Sequence, residues 1–354
     1  MRLLRWTLGA AVLFAGLCLA QTPTEVEEPA ATEGAQAATT AEEVLVTGEY
    51  PGPGMWKVTR RDDLAGHTLW ILGTPPPLPK KLKWKSKDVE ATVVSSQRVL
   101  LDSQIDVEPD AKIGFFKGMA LLPSALGIRS NPDKARLQDL LPPDLYAQWL
   151  VQKQKYLGRN ASVETWRPIF AAAKLRSEAL DDLKLRESGV VWEVVEKLTK
   201  KHKIEVTTPT VSFTFKTADI KSRIQQFKRQ PLADQDCFAA SLQFIEMLGD
   251  SVTMNERAHA WATGDLSSLL ALHPLPNSNA VCAAALLGSQ LGQELVPSDI
   301  LAQLKSAWVE AAEKSLGENQ STFALLSLSQ LTGANGRLAA LRDKGYVVED
   351  PVRD

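Results

Sequence analysis

Histidine is the side chain best suited to metal binding and to proton transfer near neutral pH, and the sequence contains only four of them. They are His67, His202, His259 and His273. No two are four residues apart, the spacing that places two imidazoles on one face of a helix as metal ligands. We therefore interpret each histidine as structural or solvated.

Other signatures of chemistry are missing from the sequence as well. It has no glycine-rich phosphate loop, no Gly-x-Ser-x-Gly nucleophile elbow and no Cys-x-x-Cys pair. Acidic residues are numerous, but the sequence does not show which of them meet in space. Short motifs therefore assign no catalytic function.

The first 20 residues have the pattern of a secretory signal peptide. Two arginines precede an apolar run of 15 residues, Trp6 to Ala20, which is short for a membrane span. We expect cleavage after Ala20, which leaves a periplasmic protein that starts at Gln21 and has no transmembrane segment. The alternative is a lipoprotein signal that retains Cys18, although Leu17 stands where such signals need a small residue.

Removal of the signal peptide leaves two cysteines, Cys237 and Cys282. Because an exported protein folds in an oxidising compartment, an isolated pair predicts one disulfide. The alternative is two buried thiols that pack as small apolar side chains.

Residues 21–54 are predicted to form a disordered acidic tether. They are rich in Ala, Thr, Glu and Pro, with seven glutamates and neither Lys nor Arg. Such a composition buries too little apolar surface to offset the entropy of ordering. Residues 55–354 then form one domain.

The composition of the whole chain is that of a globular protein with a sizeable core. It has 354 residues, of which 44% are apolar and 23% charged, and a formal net charge of -2. The charge balance excludes a general nucleic-acid binder, which needs a basic face.

Hydrophobic periodicity and turn residues predict strands at both ends of the domain with helices between them. This pattern indicates an α/β fold: a central mixed sheet, completed by N- and C-terminal strands, flanked by helices and carrying a large helical insertion. The predicted strands are 56–60, 68–72, 98–102, one or two within 204–215, 321–328 and 346–348. The predicted helices are 86–96, several within 112–200, 219–249, 258–272, 298–316 and 338–344.

Five lysines follow a run of prolines early in the domain: Lys80, Lys81, Lys83, Lys85 and Lys87. A cluster of this kind has two interpretations, a surface that meets an anionic glycan or lipid and a solvated loop.

Several short motifs occur in a characteristic order along the domain. They are Leu69–Thr74, Leu140–Tyr146, Trp261–Leu266, Trp308, Phe323–Leu331 with Gly333 and Gly336, and finally Leu341, Gly345 and Tyr346. In order and spacing they resemble the TraB/PrgY/GumN family over about residues 55–350.

The resemblance implies a metal site that this chain has lost. The family is believed to place two Gly-x-x-His histidines, an acidic residue and an arginine around a metal ion, and it includes metal-dependent peptidases. Here the histidine positions hold Pro76 and Gln330, the arginine position is about Leu304, and the acidic position corresponds to Asp102. Proline has no ligating atom and glutamine offers only an amide oxygen, so we expect no catalytic residue, metal or cofactor at these positions.

Two functions follow from this comparison with the family. The first is an exported, non-catalytic envelope protein that binds a partner, such as an envelope protein or an anionic glycan. The alternative is a divergent metal-dependent hydrolase with a remodelled site. A hydrolase should hold converging polar groups at Asp102, Gln330, Arg257 or His259, whereas a non-catalytic protein should fill that place with Pro76 and apolar side chains.

Overall fold

A mixed sheet of six strands forms the centre of the structure, as the sequence predicts. The computed structural model describes residues 52–110, 127–272 and 274–351. The predicted signal peptide, most of the predicted tether and His273 lie outside the described residues.

The central sheet is antiparallel at one side and parallel at the other. The strands of the described residues are β1 (Met55–Thr59), β2 (Thr68–Thr74), β3 (Leu78–Pro79), β4 (Arg98–Leu100), β5 (Gln104–Pro109), β6 (Leu185–Arg186), β7 (Glu205–Thr207), β8 (Thr210–Phe215), β9 (Ser321–Ser327) and β10 (Val347–Glu349). Their order in the sheet is β10-β1-β2-β9-β4-β7. β1 is antiparallel to β10 and β2, whereas β2, β9, β4 and β7 are parallel to one another.

Two smaller pairings lie outside the central sheet. β3 pairs with β6 in antiparallel orientation, and β5 pairs with β8 in parallel orientation.

Helices surround the sheet and build a second core beside it. Within the described part of the chain they are α1 (Lys87–Ser95), α2 (Leu137–Leu140), α3 (Pro143–Tyr156), α4 (Pro168–Asp182), α5 (Trp192–His202), α6 (Ile220–Arg229), α7 (Gln235–Leu248), α8 (Ser251–Ala262), α9 (Leu266–Ala271), α10 (Ser278–Leu287), α11 (Gln290–Leu295), α12 (Ile300–Glu318), α13 (Leu328–Leu331) and α14 (Arg337–Asp343). None of them has both the length and the apolar character needed to cross a bilayer.

The first hairpin is closed by a side chain in its turn. Asp63 accepts hydrogen bonds from the backbone N–H groups of Ala65 and His67, both at 2.9 Å. Its Oδ2 also lies 3.0 Å from Nδ1 of His67. This short polar side chain therefore organises the turn, and His67 has a structural role there.

The C-terminal strand completes the sheet at β1. Backbone pairing joins Lys57 to Glu349, and Nε1 of Trp56 donates to Oδ1 of Asp350 at 3.0 Å. The predicted closure of the sheet by the end of the chain is confirmed.

The helical insertion has an apolar core of its own. Trp149 of α3 is fully buried and its ring centroid lies 5.3 Å from that of Phe238 in α7. Its Nε1 donates to the buried carboxylate of Glu164 at 3.1 Å, which satisfies the polar edge of the indole inside the core.

α10 lies against α7 through the two cysteines. The sulfur atoms of Cys237 and Cys282 are 2.01 Å apart, which is disulfide distance. They are the two cysteines that the sequence predicts to pair.

Some elements differ from the prediction for local reasons. The single helix predicted at 219–249 is two helices, α6 and α7, because Pro231 follows α6 and proline cannot continue a helix. The helix predicted at 258–272 divides at Gly264, whose φ is 73°, and Asp265 caps the second part by accepting from the N–H of Ser268 at 2.9 Å. β3, β5, β6, α11 and α13 were not predicted.

Candidate functional site

The ends of three parallel strands bring the predicted site positions together. β2, β9 and β4 run in the same direction, with Thr74 opposite Ser327, so the segments that follow them leave the sheet at one edge. Those segments carry Pro76, Gln330 and Asp102, and all three line one cavity of about 240 Å³. We call it the sheet-edge cavity. The carboxyl edge of a parallel sheet is a common place for ligand sites.

A tryptophan holds the end of β2 in place. Nε1 of Trp261, in α8, donates to the backbone oxygen of Gly73 at 2.7 Å. A Cβ atom at Gly73 would lie 2.5 Å from the end of the Leu328 side chain and 2.9 Å from the ring of Trp56, so a larger residue here would require these side chains to move. The segment Trp261–Leu266, one of the motifs noted in the sequence, thus positions the strand end that leads to Pro76.

The acidic residue at this edge is committed to an ion pair. Oδ1 of Asp102 accepts from the backbone N–H of Ser103 at 2.7 Å and contacts Nη2 of Arg337 in a short ion pair. Arg337 is only 6% exposed, and its guanidinium lies 5.6 Å from the ring centroid of Trp308. Burial lowers the pKa of Arg337, and the charge of Asp102 offsets part of that effect.

The arginine of this pair was missed in the sequence. Leu304, the position assigned to the family's arginine, contributes only its backbone oxygen, which accepts from Oγ of Ser103 at 2.7 Å. Arg337 begins α14 directly after Gly336. Its position directly after Gly336, in the loop that carries the Gly333 and Gly336 motif, is the sequence feature that could have identified it as a site residue.

Two further candidates of the sequence lie elsewhere. Arg257 and His259 are both on α8, and neither is among the residues that line the sheet-edge cavity. Arg257 lines a neighbouring cavity, whereas the side chain of His259 is exposed. The structure therefore places Asp102 and Gln330 at the sheet-edge cavity, whereas Arg257 and His259 do not line it.

The sheet-edge cavity is not filled by apolar side chains, so the described residues do not show the filling that we expected of a non-catalytic protein. Pro76 and Asp102 are half-buried and Gln330 is exposed. The opposite wall is formed by the segment from Arg186 to Trp192. The cavity thus offers a small ligand hydrogen-bonding groups together with charged groups that already form ion pairs.

The residues at this edge do not fit a divalent metal. Proline supplies no donor atom, and the amide of Gln330 is a weak ligand. The two carboxylates of the lining, Asp102 and Glu187, already face the guanidinium groups of Arg337 and Arg176. Among the described residues there is no group of three or more His, Cys, Asp or Glu side chains that could hold a metal ion. A site of the catalytic zinc type needs about three protein ligands and an open position.

Comparison with known proteins gives one match. A family model described as the TraB/PrgY/gumN family matches residues 54–350. No curated protein and no solved structure matches the chain.

Proposed function

The chain belongs to the TraB/PrgY/gumN family, and we propose that it is an exported member that has lost metal-dependent hydrolysis and acts by binding a partner in the cell envelope. One observation carries the proposal. At the edge where the family resemblance places a metal, the carboxylate of Asp102 is paired with the buried Arg337 and the histidine positions are Pro76 and Gln330. The other carboxylate of the lining, Glu187, is paired with Arg176.

The chemistry of the ion pair supports this proposal. For Asp102 to bind a metal, the metal would have to displace Arg337, which is 6% exposed and would then keep a buried, uncompensated charge. Hydrogen bonding to a neutral ligand needs no such displacement. The sheet-edge cavity therefore favours binding over metal-assisted hydrolysis.

Metal analysis and activity assays test the loss of catalysis. We expect the purified protein, after dialysis, to hold no stoichiometric zinc, manganese or iron and to hydrolyse no member of a panel of peptides and esters, with or without added metal. About one metal per chain, together with activity that a chelator abolishes, would contradict the proposal and support the divergent hydrolase.

Restoring the two histidines provides a positive test of the site. We expect the variant Pro76→His/Gln330→His to bind Zn²⁺ more tightly than the wild type, and the further change Arg337→Met to strengthen binding again because it releases Asp102. The two single histidine variants are the matched controls. If Zn²⁺ affinity is unchanged in both the double and the triple variant, the assignment of these positions is wrong.

A row of lysines favours an anionic glycan as the envelope partner. Lys81, Lys83, Lys85 and Lys87 are exposed, and they alternate with side chains such as Trp84 that pack on the core. This alternation leaves the lysines exposed along the segment that leads into α1, whose first residue is Lys87, and a row of exposed cations suits a repeating acidic polymer.

Cosedimentation with an acidic polysaccharide tests this partner. Replacement of the four lysines by Gln should abolish salt-sensitive binding. The control replaces four exposed lysines at the end of α5, namely Lys197, Lys200, Lys201 and Lys203. Equal loss of binding in both variants would indicate nonspecific charge attraction and contradict the proposed surface.

Export is tested by the intact mass of the protein recovered from the periplasm. We expect a chain that starts at Gln21. A diacylglycerol group on Cys18 would instead show a lipoprotein.

A further inference from the structure

The strand β8 is paired on one side only. In the part of the chain that the structure describes, it pairs with β5 in a separate two-stranded sheet and with no other strand. All of its residues, Thr210–Phe215, are at least partly exposed. The open edge of such a strand presents unpaired backbone N–H and C=O groups, which are a template for one more strand.

The pairing with β5 shows which backbone groups of β8 point to the open edge. The N–H of Gln104 donates to the oxygen of Pro209, the residue before β8, at 2.9 Å. Because backbone groups alternate in direction along a strand, the odd-numbered residues of β8 face β5. Thr210, Ser212 and Thr214 therefore turn their N–H and C=O groups outward, where no backbone group of the described residues pairs with them.

The other outer strands of the described sheets carry features that oppose pairing with a further strand. Charged side chains, proline and short length have this effect. β5 contains Asp106, Glu108 and Pro109. β7 and β10, which flank the central sheet, have three residues each and include Glu205 and Glu349. β8 has six residues, all of them Thr, Val, Ser or Phe, and most of these favour strands.

β8 is complementary to a second copy of itself. In antiparallel pairing about a twofold axis at Ser212, Thr210 lies opposite Thr214 of the copy and Val211 lies opposite Phe213. The outward groups of the even-numbered residues then bond to the same groups of the copy. The apolar pairs share one face and the hydroxyl pairs the other, and cross-strand pairs of both kinds stabilise a sheet. Because β8 is uncharged, no like charges meet.

We propose that the protein forms a homodimer through antiparallel pairing of β8 with β8 of a second copy, which joins the two small sheets into one sheet of four strands. The self-complementary side chains favour a second copy over a foreign strand. This inference goes beyond the proposed function, and it is independent of it because no residue of β8 lines the sheet-edge cavity.

Sedimentation of the mature protein in the analytical ultracentrifuge tests the proposal. We expect an equilibrium between monomer and dimer that shifts with concentration, because one short strand forms a small interface. A protein that stays monomeric up to about 1 mM would overturn the proposal and leave the edge to a different strand.

Two variants of Ser212, an exposed side chain, locate the interface. Ser212→Lys and Ser212→Glu each place like charges opposite one another across the axis, so each should weaken the dimer at least tenfold. An equimolar mixture of the two should restore dimers, because opposite charges then meet. The matched control is Gln104→Lys, which adds a charge to the same face of the small sheet but on β5.

A backbone variant separates pairing from side-chain effects. Ser212→Pro removes an N–H that the pairing of β8 with β5 does not use, so it should weaken the dimer at least tenfold while the circular dichroism stays that of the wild type. If the Ser212 variants dimerise like the wild type, or if Gln104→Lys weakens the dimer as much as they do, the proposal is wrong. A mixture of the two charge variants that stays monomeric would also contradict pairing at Ser212.

Discussion

The ion pair between Asp102 and Arg337 predicts an unequal response to loss of either partner. Asp102→Asn keeps the shape of the side chain and an acceptor for the N–H of Ser103, but it removes the charge. Arg337 then stays buried, at 7% side-chain exposure, without compensation. Removal of one partner of a buried pair costs roughly 3–5 kcal/mol, and because Asp102 is 33% exposed we expect about 2–4 kcal/mol here.

Arg337→Met has the smaller expected cost. The carboxylate that it leaves behind is 33% exposed, so water can solvate it, and it still accepts from Ser103 at 2.7 Å. Met also keeps an apolar chain beside Trp308, although the contact of the guanidinium with that ring is lost. We expect a loss of about 1–2 kcal/mol, with the double variant less destabilised than the sum of the two single variants.

Urea unfolding followed by tryptophan fluorescence at pH 7 measures these differences. The control is Glu349→Gln, which removes a surface pair with Lys57 in which the side chains are 49% and 37% exposed and should cost below about 1 kcal/mol. Equal losses for Asp102→Asn and Arg337→Met, or strict additivity in the double variant, would refute the reasoning. Asp102 would then be open to other roles, including metal binding.

Three further predictions concern the framework around the site. Cys237→Ser/Cys282→Ser should lower the free energy of unfolding by about 4 kcal/mol at most, which is the entropic effect of closing a loop with a sequence separation of 45. Thiol labelling of the unreduced wild type should find no free thiol at either position. Asp250 caps α8, and hydrogen bonds from Thr253 hold its pKa below the ordinary value. The stability that this cap contributes should therefore be complete above pH 4 and disappear as the pH falls through the lowered pKa. Asp250→Ala should lower the free energy of unfolding at pH 7 but not in strong acid, when unfolding is measured at both. Trp261→Phe removes the donor to the backbone oxygen of Gly73 and should cost about 1–3 kcal/mol in urea unfolding.

Each of these predictions has a clear contrary result. Reactive thiols in the unreduced protein would show that the cysteines are not bridged. A pH-independent effect of Asp250→Ala would point to helix propensity, and Asp250→Asn, which keeps a capping oxygen, is the matched control. An unchanged free energy of unfolding in Trp261→Phe would mean that the end of β2 is held by packing alone.

The sequence by itself indicated the family and the framework of the fold. Apolar alternation and turn residues are local properties, so the hairpin of β1 and β2, the central strand β9 and the final helix and strand could be located from neighbouring residues alone. The order of short motifs then predicted that Pro76, Asp102 and Gln330 belong to one site. The parallel strands do bring them to one edge, because the carboxyl ends of parallel neighbours coincide.

Contacts between distant residues were decided only by the tertiary structure. Arg337 meets Asp102 across 235 positions of sequence, and Arg176 shares a cavity with Arg257 although the two lie on different helices. No periodicity encodes such meetings, because they depend on how the sheet and helices pack. The sequence predicted which ligands were lost at Pro76 and Gln330, but the folded chain alone shows that the remaining carboxylate is neutralised by a buried arginine.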